Sequence, residues 1–152
     1  MAVSTEVVKA LRDETGISVM ECKKALEEAQ GDRTKALTIL KERAGIAANK
    51  KAGRSLAAGV VASYVHGKGQ VGALALLSCE TDFVSGNEEF RTLAHDIAMQ
   101  VAAMQPEDIS ALLAQPFIKD SSRTIGDLVA AAVQKFGERV EIGEIQCVSV
   151  VS

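Results

Sequence analysis

Tryptophan is absent, tyrosine occurs once, and four phenylalanines bring the aromatic share to only 3% of 152 residues. Such a chain lacks the aromatic platforms on which single-stranded bases stack. Its core must be built from Ala, Val, Leu and Ile, which suits close helix packing. Cysteine occurs at positions 22, 79 and 147 only. Three scattered thiols make no disulfide framework, no CxxC pair points to zinc, and the thiols are read as reduced. No stretch approaches the ~18 apolar residues of a membrane helix. The opening MAVSTEVVKALRDE carries acids at helical spacing where a signal peptide has a basic start and a continuous apolar run. A cytoplasmic chain with no membrane partner is expected.

What the chain does have is 47% hydrophobic and 24% charged residues, enough to bury a core. The net charge of −3 is unevenly spread: residues 1–54 hold 11 Lys/Arg against 8 Asp/Glu, and residues 55–152 hold 6 against 12. The basic excess lies in 33–54, with Arg33, Lys35, Lys41, Arg43, Lys50, Lys51 and Arg54 against Glu42 alone. This run either attracts nucleic acid or an acidic protein surface, or forms a solvated helix and linker face. No aromatic residue lies among the bases, which favours the solvated face and no direct nucleic-acid contact.

Residues 1–45 read as three short helices. Ser4 caps the first, with Val7, Val8 and Leu11 on its apolar face and Gly16 at its end. Ser18 and Glu21 form a capping box for the second, which points Cys22, Ala25, Leu26 and Ala29 inward. Asp32 caps the third, which buries Ala36, Leu37 and Leu40 and runs to Gly45. Residues 46–58 are a basic, Ala-rich connector, helical or semi-flexible. The period then becomes strand-like: Gly59 to His66, a Gly67-Lys68-Gly69 turn, and Val71 to Cys79 predict an antiparallel hairpin. A long helix follows from Glu88 to Gln105, capped by Asn87 and ended by Pro106, with Phe90, Leu93, Ala94, Ile97, Ala98, Val101 and Met104 on one face. Residues 107–120 read as a short helix and a loop around Gln115-Pro116-Phe117. Thr124 and Asp127 start another helix that stops at Gly137, and a final strand spans Val140 to Val151 with a bulge near Gly143. The fold class is therefore α+β: a three-helix unit (1–45), a connector (46–58), and a core domain (59–152) of antiparallel strands packed on helices.

Covalent catalysis finds little support. The two histidines are His66, beside the hairpin turn, and His95, on the long helix. Cys79 with His66 across the hairpin is the nearest approach to a nucleophile pair, and it has no third orienting group or oxyanion loop. No GxxxxGK[ST] loop, GxGxxG turn or metal-ligand cluster occurs, so no cofactor, metal or bound nucleotide is expected. The prominent segment is Cys79-Glu80-Thr81-Asp82-Phe83-Val84-Ser85-Gly86-Asn87, which sets a Phe in a polar loop between a buried strand and a helix cap. Leaving a Phe in water forgoes ~1.5–3 kcal/mol of burial, so Phe83 either packs on its own core or is held for a partner's pocket.

The run Thr81-Asp82-Phe83-Val84, after an apolar strand ending Cys-Glu and before a long helix, resembles the signature loop of the elongation factor Ts family. Leu11-Arg12, Thr15-Gly16, Met20-Glu21-Cys22-Lys23-Lys24-Ala25-Leu26 and Gly31-Asp32 resemble its other signature, in register and at the expected distance. Gln115-Pro116-Phe117 with Lys119-Asp120, and Phe136-Gly137-Glu138, are similar to its C-terminal portion, so the likeness spans nearly the whole chain.

The resemblance implies a non-enzymatic guanine-nucleotide exchange factor for elongation factor Tu, the GTPase that delivers aminoacyl-tRNA to the ribosome. It implies a ubiquitin-associated-like N-terminal bundle whose Val19, Met20 and Lys23 contact the GTPase. It further implies that the loop Thr81, Asp82, Phe83 and Val84 wedges near the GTPase's magnesium and phosphate site, Asp82 and Phe83 leading. The chain resembles a compact form of the family, since only Pro106 to Ala114 bridges a region where longer members carry an extra segment. The final strand shows Gly143-Glu144 in place of the family's basic residues. Some compact members act as dimers, and the strand ending Val148-Ser149-Val150-Val151 offers an edge for a homodimer unless a helix covers it. Cys79 and Cys147 read as core thiols. The alternatives are a binding adaptor without exchange activity and an RNA-associated protein using the basic connector.

Overall fold

The computed structural model describes residues 2–151. Three helices open the chain: α1 (Thr5–Thr15), α2 (Val19–Glu28) and α3 (Arg33–Lys51). Their starts follow the caps read from the sequence, because Ser4, Ser18 and Asp32 each accept a hydrogen bond from the amide three residues on. Gly16, at φ 72°, closes α1 in the left-handed region. Val8, Leu11, Ile17, Cys22, Ala25, Leu26, Ala29, Ala36 and Leu40 form the bundle's own core. At Ser18 only half of the expected capping box forms. The Glu21 carboxylate instead faces Arg43 at 3.5 Å and Lys24 at 3.9 Å, since a cation attracts it more strongly than a backbone amide does.

Gly45 does not end α3. The helix runs on to Lys51, because the Ala-rich sequence favours helix and no proline interrupts it. The basic stretch is thus largely a helix face, and several of its cations are taken up inside the molecule. Arg33 pairs with Glu14, Arg43 with Glu28, Lys41 with Asp127 at 3.6 Å, and Arg54 with Glu80 at 3.5 Å.

Strands β1 (Ala58–His66), β2 (Val71–Cys79) and β5 (Glu141–Ser149) form one antiparallel sheet in the order β1-β2-β5. Ala73, Ala75, Leu77 and Cys79 alternate inward from β2, and Val60, Ala62 and Tyr64 from β1. Helix α5 (Glu88–Met104), capped by Asn87, lies across that face with Phe90, Ala94, Ile97, Ala98 and Val101 buried. The expected bulge is present: Leu76 pairs with Glu144 and Leu77 with Ile142, leaving Gly143 as the extra residue.

Two further features depart from the sequence reading. Beyond α6 (Ile109–Ala114), residues expected as loop form a small hairpin, β3 (Pro116–Phe117) and β4 (Asp120–Thr124). It is held by the fully buried Gln100 of α5, which donates to the Pro116 carbonyl at 3.0 Å and accepts from the Ile118 amide at 3.0 Å. Cys147 is exposed rather than core: it lies on the edge strand β5, whereas its ladder partner Ala73 on the central strand is buried. Helix α7 (Ile125–Phe136) starts with a complete capping box between Thr124 and Asp127 and ends at Gly137, φ 70°. It packs on both α6 and α3, where Lys41 pairs with Asp127.

Candidate functional site: the turn between strand β2 and helix α5

Past the final ladder pair, Ala58 with Cys79, the chain leaves the sheet and winds one helical turn, α4 (Asp82–Ser85), before α5 begins. What the sequence suggested as a loop is therefore a compact element. The Ser85 amide bonds the Thr81 carbonyl at 3.2 Å, Gly86 bonds Asp82 at 2.9 Å, and Asn87 bonds Val84 at 3.0 Å. Within one turn, neighbouring side chains must point apart. Val84 faces inward, 8% exposed, and anchors the turn in the sheet's core. Phe83 faces the opposite way and is 93% exposed. Of the two readings open for Phe83, packing on its own core is excluded. Thr81 and Asp82 are exposed beside it.

The base of the turn is held from far along the chain. Gly137 turns the end of α7 so that Glu138 reaches back across the sheet edge. One carboxylate oxygen accepts the amides of Glu80 and Thr81 at 3.1 and 3.0 Å, and the other accepts the Thr81 hydroxyl at 2.6 Å. Thr81 thus makes no side-chain cap of its own for α4. The Glu80 carboxylate in turn accepts from the Arg139 amide and lies 3.5 Å from the Arg54 guanidinium. Cys79 lies below, fully buried. Burial pushes its thiol pKa up, the Glu138 charge pushes it further, and the protonated sulfur donates to the Thr81 carbonyl at 3.3 Å. Sequence reasoning placed Glu138 only in a C-terminal motif; no local signal marks a contact spanning 57 residues.

The register rules out the Cys79–His66 pair. Cys79 lies opposite Ala58 and His66 opposite Val71, at the two ends of the hairpin, eight residues or about 26 Å apart. His66 is engaged by the Tyr64 hydroxyl, 3.1 Å from its Nδ1, and His95 meets the Tyr64 ring edge-on at 5.8 Å. Among the described residues no group of three or more His, Cys, Asp or Glu is placed to hold a metal. No helix among them is long and apolar enough to cross a membrane.

The second predicted patch lies on α2. Val19 and Met20 are 52% and 61% exposed, and Lys23, a turn later, is exposed on the same side. The opposite side of α2 is the buried Cys22, Ala25 and Leu26. Both predicted patches are therefore exposed and carry apolar residues, one on the bundle and one on a clamped turn of the α+β core.

Fold and site together define an α+β protein with an N-terminal helical bundle that presents these patches to solvent. A family model described as elongation factor TS matches residues 80–152, beginning at the base of the turn. The elongation factor Ts of Desulforamulus reducens is 40% identical over 185 aligned positions, covering 92% of this chain and 85% of the relative. That of Leptospira biflexa is 39% identical, covering 94% and 95%, and that of Thermodesulfovibrio yellowstonii 39%, covering 93% and 93%. The chain belongs to the elongation factor Ts family, one of translation elongation factors. The 185 aligned positions exceed the 152 residues present, so the Desulforamulus relative carries residues opposite gaps here.

Proposed function

We propose that this chain binds elongation factor Tu in the cytoplasm and promotes GDP release, with the Thr81–Val84 turn as its wedge. The observation that carries the reading is Phe83, 93% exposed on a turn whose other side is fixed by Val84 and whose base is fixed by Glu138. An isolated, rigidly presented aromatic ring loses least conformational freedom on entering a pocket, and so serves as an interface anchor. P-loop GTPases hold GDP through backbone amides, a lysine and a magnesium ion coordinated partly by phosphate, so displacing that cradle weakens the nucleotide. Phe83 supplies the apolar insertion and Asp82 a negative charge near the cation; Thr81 and Val84 hold the turn. Val19, Met20 and Lys23 supply a second contact from residues 1–45, acting as a ubiquitin-associated-like docking unit. No bond is made or broken, and the chain is not an enzyme in that sense. By linkage, the factor weakens GDP as much as GDP weakens the factor, so incoming nucleotide expels it.

The ion pairs of Arg33, Lys41, Arg43 and Arg54 support a reading without direct nucleic-acid contact. A homodimer is favoured by one specific observation. The sheet face turned away from α5 exposes Val61, Val65, Leu74 and Val148 at 47–77%, a contiguous apolar surface by register. Face-to-face association suits these side chains better than pairing of the final strand's edge.

The test is release of a fluorescent GDP analogue from elongation factor Tu, with wild type and with Asp82→Ala. The proposal expects acceleration that weakens in the variant. If wild type binds the GTPase yet leaves the release rate unchanged, the chain is a binding adaptor.

A further inference from the structure

We infer that Glu138 is a positioning residue for nucleotide exchange: through three hydrogen bonds to the base of the turn it fixes the direction in which Phe83 is presented. The inference rests on the exchange reading above, but the contact lies within this chain and is measurable without a partner. Glu80 and Thr81 lie just past the end of the β1–β2 ladder, so their amides have no strand partner there. Both are taken by one oxygen of Glu138, at 3.1 and 3.0 Å, and the Thr81 hydroxyl by the other, at 2.6 Å. Two successive peptide planes and one side chain are thereby fixed immediately before Asp82. The clamp is reciprocal, since the Glu80 carboxylate accepts the amide of Arg139, the residue after Glu138. Arg139 also donates from its side chain to the Arg54 carbonyl and, at 2.9 Å, to Glu141. The segments around residues 54, 80 and 138 are thus tied at one point.

Val84 alone fixes only the inner side of the turn. A one-turn helix makes too few internal bonds to hold its own orientation, so the angle of α4 against the sheet depends on what precedes it. Charge-assisted bonds of this kind are stronger than neutral ones. Losing them frees Phe83 to sample directions that miss the partner's pocket, which lowers productive encounter without removing any group that touches the GTPase.

The experiment uses Glu138→Ala, Glu138→Gln, Phe83→Ala and the double variant Phe83→Ala/Glu138→Ala, with thermal melts to confirm folding. Glutamine keeps an acceptor for the two amides, so it carries the test if the alanine variant fails to fold. In the chain alone, amide hydrogen exchange at Glu80 and Thr81 should quicken about tenfold or more in Glu138→Ala and less in Glu138→Gln, the factor expected from losing one charge-assisted bond. In GDP release from elongation factor Tu, kcat/KM should fall by about tenfold in Glu138→Ala, with partial rescue by glutamine. In the Phe83→Ala background, removing Glu138 should cost less than about twofold, because a positioning residue has nothing left to position. Unchanged amide exchange overturns the clamp. Losses that multiply in the double variant overturn action through Phe83. If wild type itself does not speed release, the exchange role falls for both residues, while the amide measurement still decides the clamp.

Discussion

Replacing Phe83 with alanine separates the two things a phenylalanine can do, because the ring is 93% exposed and contributes almost nothing to the folded core. The substitution should change folding stability by no more than about 0.5 kcal/mol, as at other exposed positions. Inserted in a partner's pocket, the same ring recovers about 1.5–3 kcal/mol of burial. If that energy is spent in the step that expels GDP, its loss lowers kcat/KM for release by about 10- to 150-fold. Val84, one residue on and 8% exposed, contributes to the fold instead. Val84→Ala should destabilise the fold by about 1–3 kcal/mol, and lower release only by loosening the anchor under Phe83. Urea denaturation gives the first quantity and stopped-flow release of a fluorescent GDP analogue the second. A loss of more than ~1 kcal/mol of stability in Phe83→Ala would show that the ring packs on its own chain. Full exchange activity in a folded Phe83→Ala protein would refute the wedge.

Three further outcomes follow from the packing. Phe90 is fully buried and meets Phe136 edge-on at 6.0 Å, so Phe90→Ala should cost about 3–5 kcal/mol in chemical denaturation. An added Cβ at Gly59 sits 2.6 Å from the Leu77 carbonyl oxygen, so Gly59→Ala must push β1 from β2 and lower the melting temperature. Under native conditions a thiol reagent should label Cys147 rapidly, and Cys22 and Cys79 only on unfolding, because burial both shields the latter two and raises their pKa. Raising pH toward their shifted values should speed native labelling of these two little, since access remains closed.

Local chemistry was legible in the sequence. The caps at Ser4, Asp32, Asn87 and Thr124 and the bulge at Gly143 each depend on residues within a few positions, and each forms as read. The small hairpin was not legible, because Asp120-Ser121-Ser122-Arg123-Thr124 has no apolar alternation; it is stabilised by the amide of Gln100, which arrives from another helix. The continuation of α3 past Gly45 was hidden for a similar reason. Ala48 packs against the core of the second unit, so tertiary contact favours helix where a glycine suggested a stop. At the site, the oddity of a Phe in a polar segment was visible, and its exposure was one of two open readings. The Glu138 clamp was invisible, since nothing near residue 138 announces a partner at residue 81.

An exchange factor of the kind proposed speeds nucleotide release without being consumed. The direct measurement loads elongation factor Tu with fluorescent GDP in large excess over this protein and follows release into unlabelled GDP. Each molecule of this chain should turn over many GTPases, with a rate proportional to its concentration and an end point identical to that of spontaneous release. Release that stops at one GTPase per molecule of this chain, or does not exceed the spontaneous rate, contradicts it.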